Sequence, residues 1–66
     1  MKIVANSKTF EIRDNLKISD FISDMGLNPR RCVVELNGVA MKFSDFENLF
    51  LKEGDVLEIM RVVAGG

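Results

Sequence analysis

The chain of 66 residues closes on Ala64-Gly65-Gly66, and this ending is the part of the sequence best suited to chemistry. Glycine has no Cβ, so an extended Gly-Gly end can pass through a narrow channel and lay its carboxylate against another protein's catalytic groups. From Val62 to Gly66 an extended chain reaches about 17 Å, and small residues without core contacts predict a flexible tail over residues 62–66. The Gly66 carboxylate is ionised at neutral pH, because an α-carboxyl titrates near about 3.5, and an ionised carboxylate is a poor acyl electrophile. Attack on the α-phosphate of ATP would convert it to an acyl-adenylate, a mixed anhydride that sulfur, nitrogen or oxygen nucleophiles can open. A partner enzyme would supply that chemistry. Two final glycines also arise from composition alone in roughly 0.5% of chains at average glycine usage, so the ending takes its weight from the body that carries it.

The other reactive residue types are sparse. There is no His, Trp or Tyr and only one Cys, Cys32. A single thiol forms no internal disulfide, and a structural zinc site needs about four Cys or His ligands. Nucleophile-plus-base catalysis is hard to assemble without His. Asp14, Asp20, Asp24, Glu53 and Asp55 fall on expected solvated faces and turns, which favours surface carboxylates over an acid/base pair. Nine basic and ten acidic residues give a net charge of -1, which is no electrostatic footprint for nucleic acid. No apolar run approaches the roughly 18 residues of a membrane span, and Met1-Lys2-Ile3-Val4 leads into polar residues instead of a signal-peptide core. A cytoplasmic, non-enzymatic protein without nucleic-acid or membrane partners is the expectation.

The elements that must position the ending follow from periodicity. Lys2 to Ala5 is a short apolar stretch, Asn6-Ser7-Lys8 a polar turn, and Thr9-Phe10-Glu11-Ile12-Arg13 alternates with Phe10 and Ile12 on one side. Two strands joined by so short a turn form an antiparallel hairpin. Ile18, Phe21, Ile22 and Met25 then recur at i, i+3, i+4 and i+7, which predicts a helix over 18–26 with Asn15 or Ser19 as its cap. Gly26 ends it in a left-handed conformation, and Pro29 prevents its resumption. Cys32 to Gly38 reads as a strand closed by an Asn-Gly turn, with Cys32, Val34 and Leu36 inward. That parity makes Cys32 a small core residue in preference to a sulfur-relay thiol. Ser44-Asp45-Phe46-Glu47 fits a capping box and one helical turn. Lys52-Glu53-Gly54-Asp55 is a turn, and Val56 to about Val62 is the last strand.

Along that last strand Leu57 and Ile59 share the core side, while Glu58, Met60 and Val62 share the other. Arg61 would point to the core if the strand continued, so the chain is expected to leave the sheet there. Met60, Val62 and Val63 become candidates for an exposed apolar patch that binds a partner; the competing reading has them covering the sheet edge or packing under Phe50. Strand, strand, helix, strand, short helix, strand describes one α+β domain over residues 1–66, with a single helix laid across a sheet.

The length, the hairpin start, Val34-Glu35-Leu36-Asn37-Gly38, Leu51-Lys52-Glu53-Gly54-Asp55, Leu57-Glu58-Ile59 and Val63-Ala64-Gly65-Gly66 together resemble the ThiS family of prokaryotic sulfur-carrier proteins, relatives of ubiquitin in fold. The resemblance implies a β-grasp fold: a mixed sheet with one main helix packed across one face and a short helical turn. It also implies a cycle centred on Gly66. A ThiF-like adenylating enzyme using ATP and magnesium would activate the carboxylate, a sulfur-delivering protein would convert it to a thiocarboxylate, and a ThiG-like thiazole synthase would take the sulfur for thiamin biosynthesis. Gly65 would supply the slender approach, and the chain itself would bind no cofactor and no metal. The sequence departs from many relatives at Lys42-Phe43, where a Pro-Arg pair is common, at Phe46, where Trp is, and at Lys17, where Thr is. Other readings remain: a molybdopterin-type carrier of the MoaD kind, a ubiquitin-like modifier joined to lysines, or a non-covalent interaction module.

Overall fold

In the computed structural model, which describes residues 1–62, five strands form one mixed sheet. They are β1 (Lys2–Ala5), β2 (Lys8–Glu11), β3 (Cys32–Leu36), β4 (Val39–Met41) and β5 (Val56–Arg61). Their order across the sheet is β2-β1-β5-β3-β4. The two hairpins, β1–β2 and β3–β4, thus lie on either side of β5, which runs parallel to β1 and antiparallel to β3. Helix α1 (Ile18–Asp24), a 3-10 turn at Pro29–Arg31 and the single helical turn α2 (Phe43–Phe46) complete the elements among the described residues. The last strand in sequence is therefore the central strand in space.

Both hairpin turns have two residues. Ala5 pairs with Lys8 around Asn6-Ser7, and Leu36 with Val39 around Asn37-Gly38. All four turn residues have positive φ, at 49° and 69° in the first turn and 51° and 87° in the second. This is the signature of the type I′ turn, whose twist matches that of the flanking strands. The Asn37-Gly38 turn was expected to close a strand; the structure shows that it also opens another. β4 went unread because its three residues are too few to display an alternating pattern.

Helix α1 buries Ile18, Phe21 and Ile22 against the sheet. It is shorter than the expected 18–26: Met25 is its C-cap and is exposed, not part of the apolar face. Gly26 follows at φ 83°. The amide of Leu27 reaches the carbonyl of Ile22 at 3.2 Å and that of Gly26 reaches Ser23 at 2.9 Å, the paired bonds of a Schellman stop. Neither Asn15 nor Ser19 caps the other end. Lys17 holds the N-cap position without a side-chain bond. The amide of Ile18 instead donates to the Leu49 carbonyl at 2.9 Å, and the hydroxyl of Ser19 donates to the Glu47 carbonyl at 3.1 Å. A tertiary contact with the segment after α2 does the work of a local cap.

α2 likewise starts two residues earlier than the Ser44 box predicts, with Lys42 at the N-cap position. The Lys42 amide donates to the Asp45 carboxylate at 3.1 Å, so Asp45, not Glu47, serves the first turn. This frame places Phe43 edge-on to Phe46, with centroids 5.6 Å apart, and leaves Phe46 with no exposed surface. Ile3, Ala5, Leu16, Ile18, Phe21, Ile22, Cys32, Val34, Phe46, Leu51, Leu57 and Ile59 form one continuous core between helix and sheet. The inward placement of Cys32 and Val34 agrees with strand parity, and Leu36 is half-buried at the end of the same row.

Candidate functional site

The strand that leads to the Gly-Gly ending is anchored on both sides by asparagines from the two turns. β1 ends at Ala5, opposite Leu57. The amide of Asn6 donates to the Leu57 carbonyl at 2.9 Å, and its side chain then takes over from the missing strand. Oδ1 accepts from the Ile59 amide at 2.7 Å while Nδ2 donates to the Ile59 carbonyl at 3.3 Å. A primary amide presents the same donor and acceptor as a peptide, so the ladder is extended by one rung after the backbone has turned away. Asn37 acts on the other side of β5. Its own amide donates to the Val56 carbonyl at 2.8 Å, and its Oδ1 accepts from the Val56 amide at 2.9 Å. At φ 51° the backbone has left the extended region, and the side-chain oxygen takes the acceptor role of the ladder.

Asn37 also donates through Nδ2 to Asp55 Oδ1 at 3.0 Å, and Asp55 Oδ2 accepts from the Lys52 amide at 2.8 Å. Asp55 is a buried charged residue, 8% exposed, and these two bonds compensate its removal from water. The Gly54 amide donates to the Lys2 carbonyl and the Val4 amide to the Asp55 carbonyl. The Lys52-Glu53-Gly54-Asp55 turn is thereby fastened to both neighbours of β5, and the strand begins from a fixed point.

Of the candidate partner-binding residues, Met60 and Val62 are exposed, at 45% and 55%. Phe50, the alternative cover for them, is itself half exposed, with the Lys17 ammonium 5.7 Å from its ring centroid. Val63, Ala64, Gly65 and Gly66 lie outside the described residues. The face that carries Met60 is wider than the sequence suggested. Val33 lies directly opposite Met60 in the β3–β5 ladder, and Val56 lies opposite Val4 in the β1–β5 ladder. Glu35 and Glu58 face one another between these rows. Strand parity had placed Glu35, Glu58 and Met60 on the solvent side, but their pairing depends on the register between strands distant in sequence.

Arg61 does not leave the sheet. It is the last residue of β5, paired with Cys32, and it is exposed. The Val62 amide donates to the Arg31 carbonyl at 2.7 Å, so the strand exit is held to the 3-10 turn. Gly26, Leu27, Asn28, Arg31, Arg61 and Val62 line an open cavity of about 320 Å³ there. Arg30 points elsewhere, its guanidinium 4.7 Å from the Phe43 ring centroid. The Cys32 thiol is buried and donates to the Asn28 carbonyl at 3.3 Å. Burial pushes its pKa up, partly opposed by the positive charge of Arg61, which is the reverse of what an activated thiol needs.

A mixed five-stranded sheet grasping one helix, with its final strand at the centre, defines a β-grasp domain of the ubiquitin-like class. The model of the ThiS family matches residues 1–66, and the chain belongs to that family. The crystal structure of a thiamine biosynthesis protein (ThiS) from Geobacter metallireducens is similar to it, with 25% sequence identity, a TM-score of 0.79 and full coverage of both chains. An NMR solution structure of a thiamine biosynthesis protein from the same organism matches at 25% identity and a TM-score of 0.76, covering 100% of this chain and 88% of that one. Among the described residues no helix is long and apolar enough to cross a membrane.

Proposed function

We propose that the protein is a sulfur carrier whose Gly66 carboxylate is the reacting group and whose sulfur goes to thiazole formation in thiamin biosynthesis. Membership of the ThiS family over residues 1–66 carries this reading, and the thiamine-biosynthesis names of the similar structures direct the pathway assignment. The carboxylate oxygen attacks the α-phosphorus of ATP on a ThiF-like enzyme, with magnesium on the departing pyrophosphate, and leaves an acyl-adenylate. Sulfur at the oxidation level of sulfide then adds to the Gly66 carbonyl and expels AMP, giving a thiocarboxylate with no net electron transfer. A ThiG-like synthase takes the sulfur. No residue of the chain acts as acid or base in these steps; the body contributes recognition, and Gly65 and Ala64 contribute a slender approach.

Incubation with the cognate ThiF-like enzyme, ATP, magnesium and a sulfur source should shift the intact mass by the replacement of one oxygen by one sulfur, localised to Gly66. Deletion of Gly66 should abolish both the shift and sulfur donation. A full sulfur-donating activity in the Gly66 deletion would refute the reading.

A further inference from the structure

The two borders of the sheet, β2 and β4, are unequal. In β4, Val39 and Met41 pair with Leu36 and Val34, and only Ala40 turns its backbone groups outward. In β2 the alternation is fixed by Met1 and Ile12. The Met1 amino group donates to the Ile12 carbonyl at 2.7 Å, and the Ile12 amide returns a bond to the Met1 carbonyl at 2.8 Å. Counting by two from this rung, Phe10 and Lys8 also bond β1, while Thr9 and Glu11 direct their N–H and C=O groups away from it. Both residues are exposed, and among the described residues no turn, loop or side chain bonds these four groups.

Beside this border, between β2 and α1, lies a cavity of about 330 Å³. Phe10 and Ile12 form its strand wall, Phe21, Asp24 and Met25 its helix wall, and Leu16 also lines it. The Phe10 ring meets Phe21 edge-on at 5.3 Å, yet Phe10 and Ile12 stay only half-buried and Met25 is 38% exposed. A strand laid against β2 would direct every second side chain into this recess, because side chains alternate between the faces of a sheet. Extended peptides that add to a sheet edge use such a pairing, with main-chain bonds for affinity and a recess for selectivity.

A second copy of the chain fits this edge poorly. Its β2 would bring Phe10 and Ile12 to the recess side, and both already line the recess of their own domain. A two-fold axis through Glu11 would also oppose like charges. The occupant therefore has free side chains. Arg13 shares the strand parity of Thr9 and Glu11, on the opposite face, so the charge on the recess side is that of Asp24, with Asp20 one helical turn before it. Both aspartates are exposed and neither forms an ion pair among the described residues, where the salt bridges are those of Met1 with Glu11 and Asp14. We propose that the β2 edge binds an extended segment of another protein as an added strand. Two apolar side chains of that segment, two residues apart, enter the cavity, and a neighbouring lysine or arginine faces Asp24. β1 separates this edge from β5, so the segment tethers the domain and leaves the strand toward residues 63–66 uncovered. Such binding does not depend on the chemistry of Gly66.

The probe is a short blocked peptide that alternates valine with threonine and ends in lysine, titrated into the full chain and followed by amide NMR spectra. Saturable shifts should centre on Thr9, Glu11 and Met25. N-methylation of the peptide amides that face β2 should weaken binding about tenfold, through the loss of two main-chain bonds, and methylation of the alternate amides should not. This comparison leaves the protein unaltered. Asp24→Lys should weaken the lysine peptide about threefold and favour a version ending in glutamate. No saturable shift at about 1 mM peptide, an affinity of only about 4 kcal/mol, would overturn the proposal. Equal loss with either methylation pattern would overturn strand addition, and an indifferent Asp24→Lys would overturn the place of the cation. The same shifts with a doubled mass on concentrating the chain alone would overturn the occupant in favour of a second copy.

Discussion

Alternate residues of β5 meet opposite requirements, and the contrast separates what holds this protein together from what it presents. On the helix side, Leu57 is fully buried and Ile59 is 7% exposed, joined there by Val34, Ile3 and Ala5 from neighbouring strands. On the other side Val56 and Met60 remain nearly half exposed and Glu58 is exposed. A 66-residue domain has a net stability of only about 3–10 kcal/mol, so its inner face has little tolerance for error. The outer face nonetheless keeps apolar groups in water and sets two carboxylates against each other. In a small domain with one helix, only one side of the sheet can be covered by the chain itself; the uncovered side is free to be shaped by a partner.

The largest effect that would sharpen this division is expected from Leu57→Ala. Leu57 has no exposed surface and sits in the middle of the core cluster, so truncation removes buried methyl groups and leaves a cavity. A loss of about 2–5 kcal/mol is expected, measured as the change in urea-unfolding free energy. A loss below about 1 kcal/mol would mean that the two faces of β5 are less different than their burial suggests.

Much of this division was legible in the primary structure because it depends on parity. Leu57 and Ile59 against Glu58 and Met60 is a period of two, and Ile18, Phe21 and Ile22 a helical period, so core side and solvent side could be assigned locally. The Asn37-Gly38 and Gly26 signals were read correctly because both act through positive φ, which few residue types tolerate. What escaped was set by contacts distant in sequence. The cap of α1 comes from Leu49 and Glu47, the Glu35–Glu58 opposition from strand register, and the reach of Asn6 to Ile59 from the place where β1 stops. Arg61 is a further case: parity puts it on the side of Cys32, but at the strand exit it lines an open cavity with Gly26, Leu27 and Asn28, residues distant from it in sequence. The Gly66 reading, by contrast, owes nothing to the sheet and came from the chemistry of a glycine carboxylate and from resemblance.

A smaller effect should distinguish the faces by pH. Cys32 is on the inner side, where burial raises its pKa in the folded chain. Above the ordinary thiol range, near about 8.5, the unfolded chain loses this proton first while the folded chain retains it. The native state then binds more protons than the unfolded one, so stability falls as pH rises. This thiol contribution is fully present below the unfolded pKa and is lost as pH climbs through the folded pKa. Urea midpoints measured from neutral to alkaline pH should fall more steeply for the wild type than for Cys32→Ala, by less than the Leu57 loss. Parallel profiles would show that Cys32 is not shielded by the inner face.

The smallest change in stability and the clearest functional one should come from the outer face. Met60 lies opposite Val33 with nearly half its surface in water. Met60→Ser removes little buried area, so its unfolding free energy should stay within about 0.5 kcal/mol of the wild type. If the activating enzyme covers this rung, the same substitution should raise KM in ATP–pyrophosphate exchange about fivefold, equivalent to about 1 kcal/mol of binding. kcat should be retained, because an apolar contact made by the body of the carrier is the same in ground and transition states and so contributes uniform binding. A variant destabilised by several kcal/mol would place Met60 in the core ledger and erase the contrast between faces. A stable variant with unchanged KM would leave the contrast standing but move the docking surface off this rung, toward the Arg31–Arg61 cavity at the strand exit.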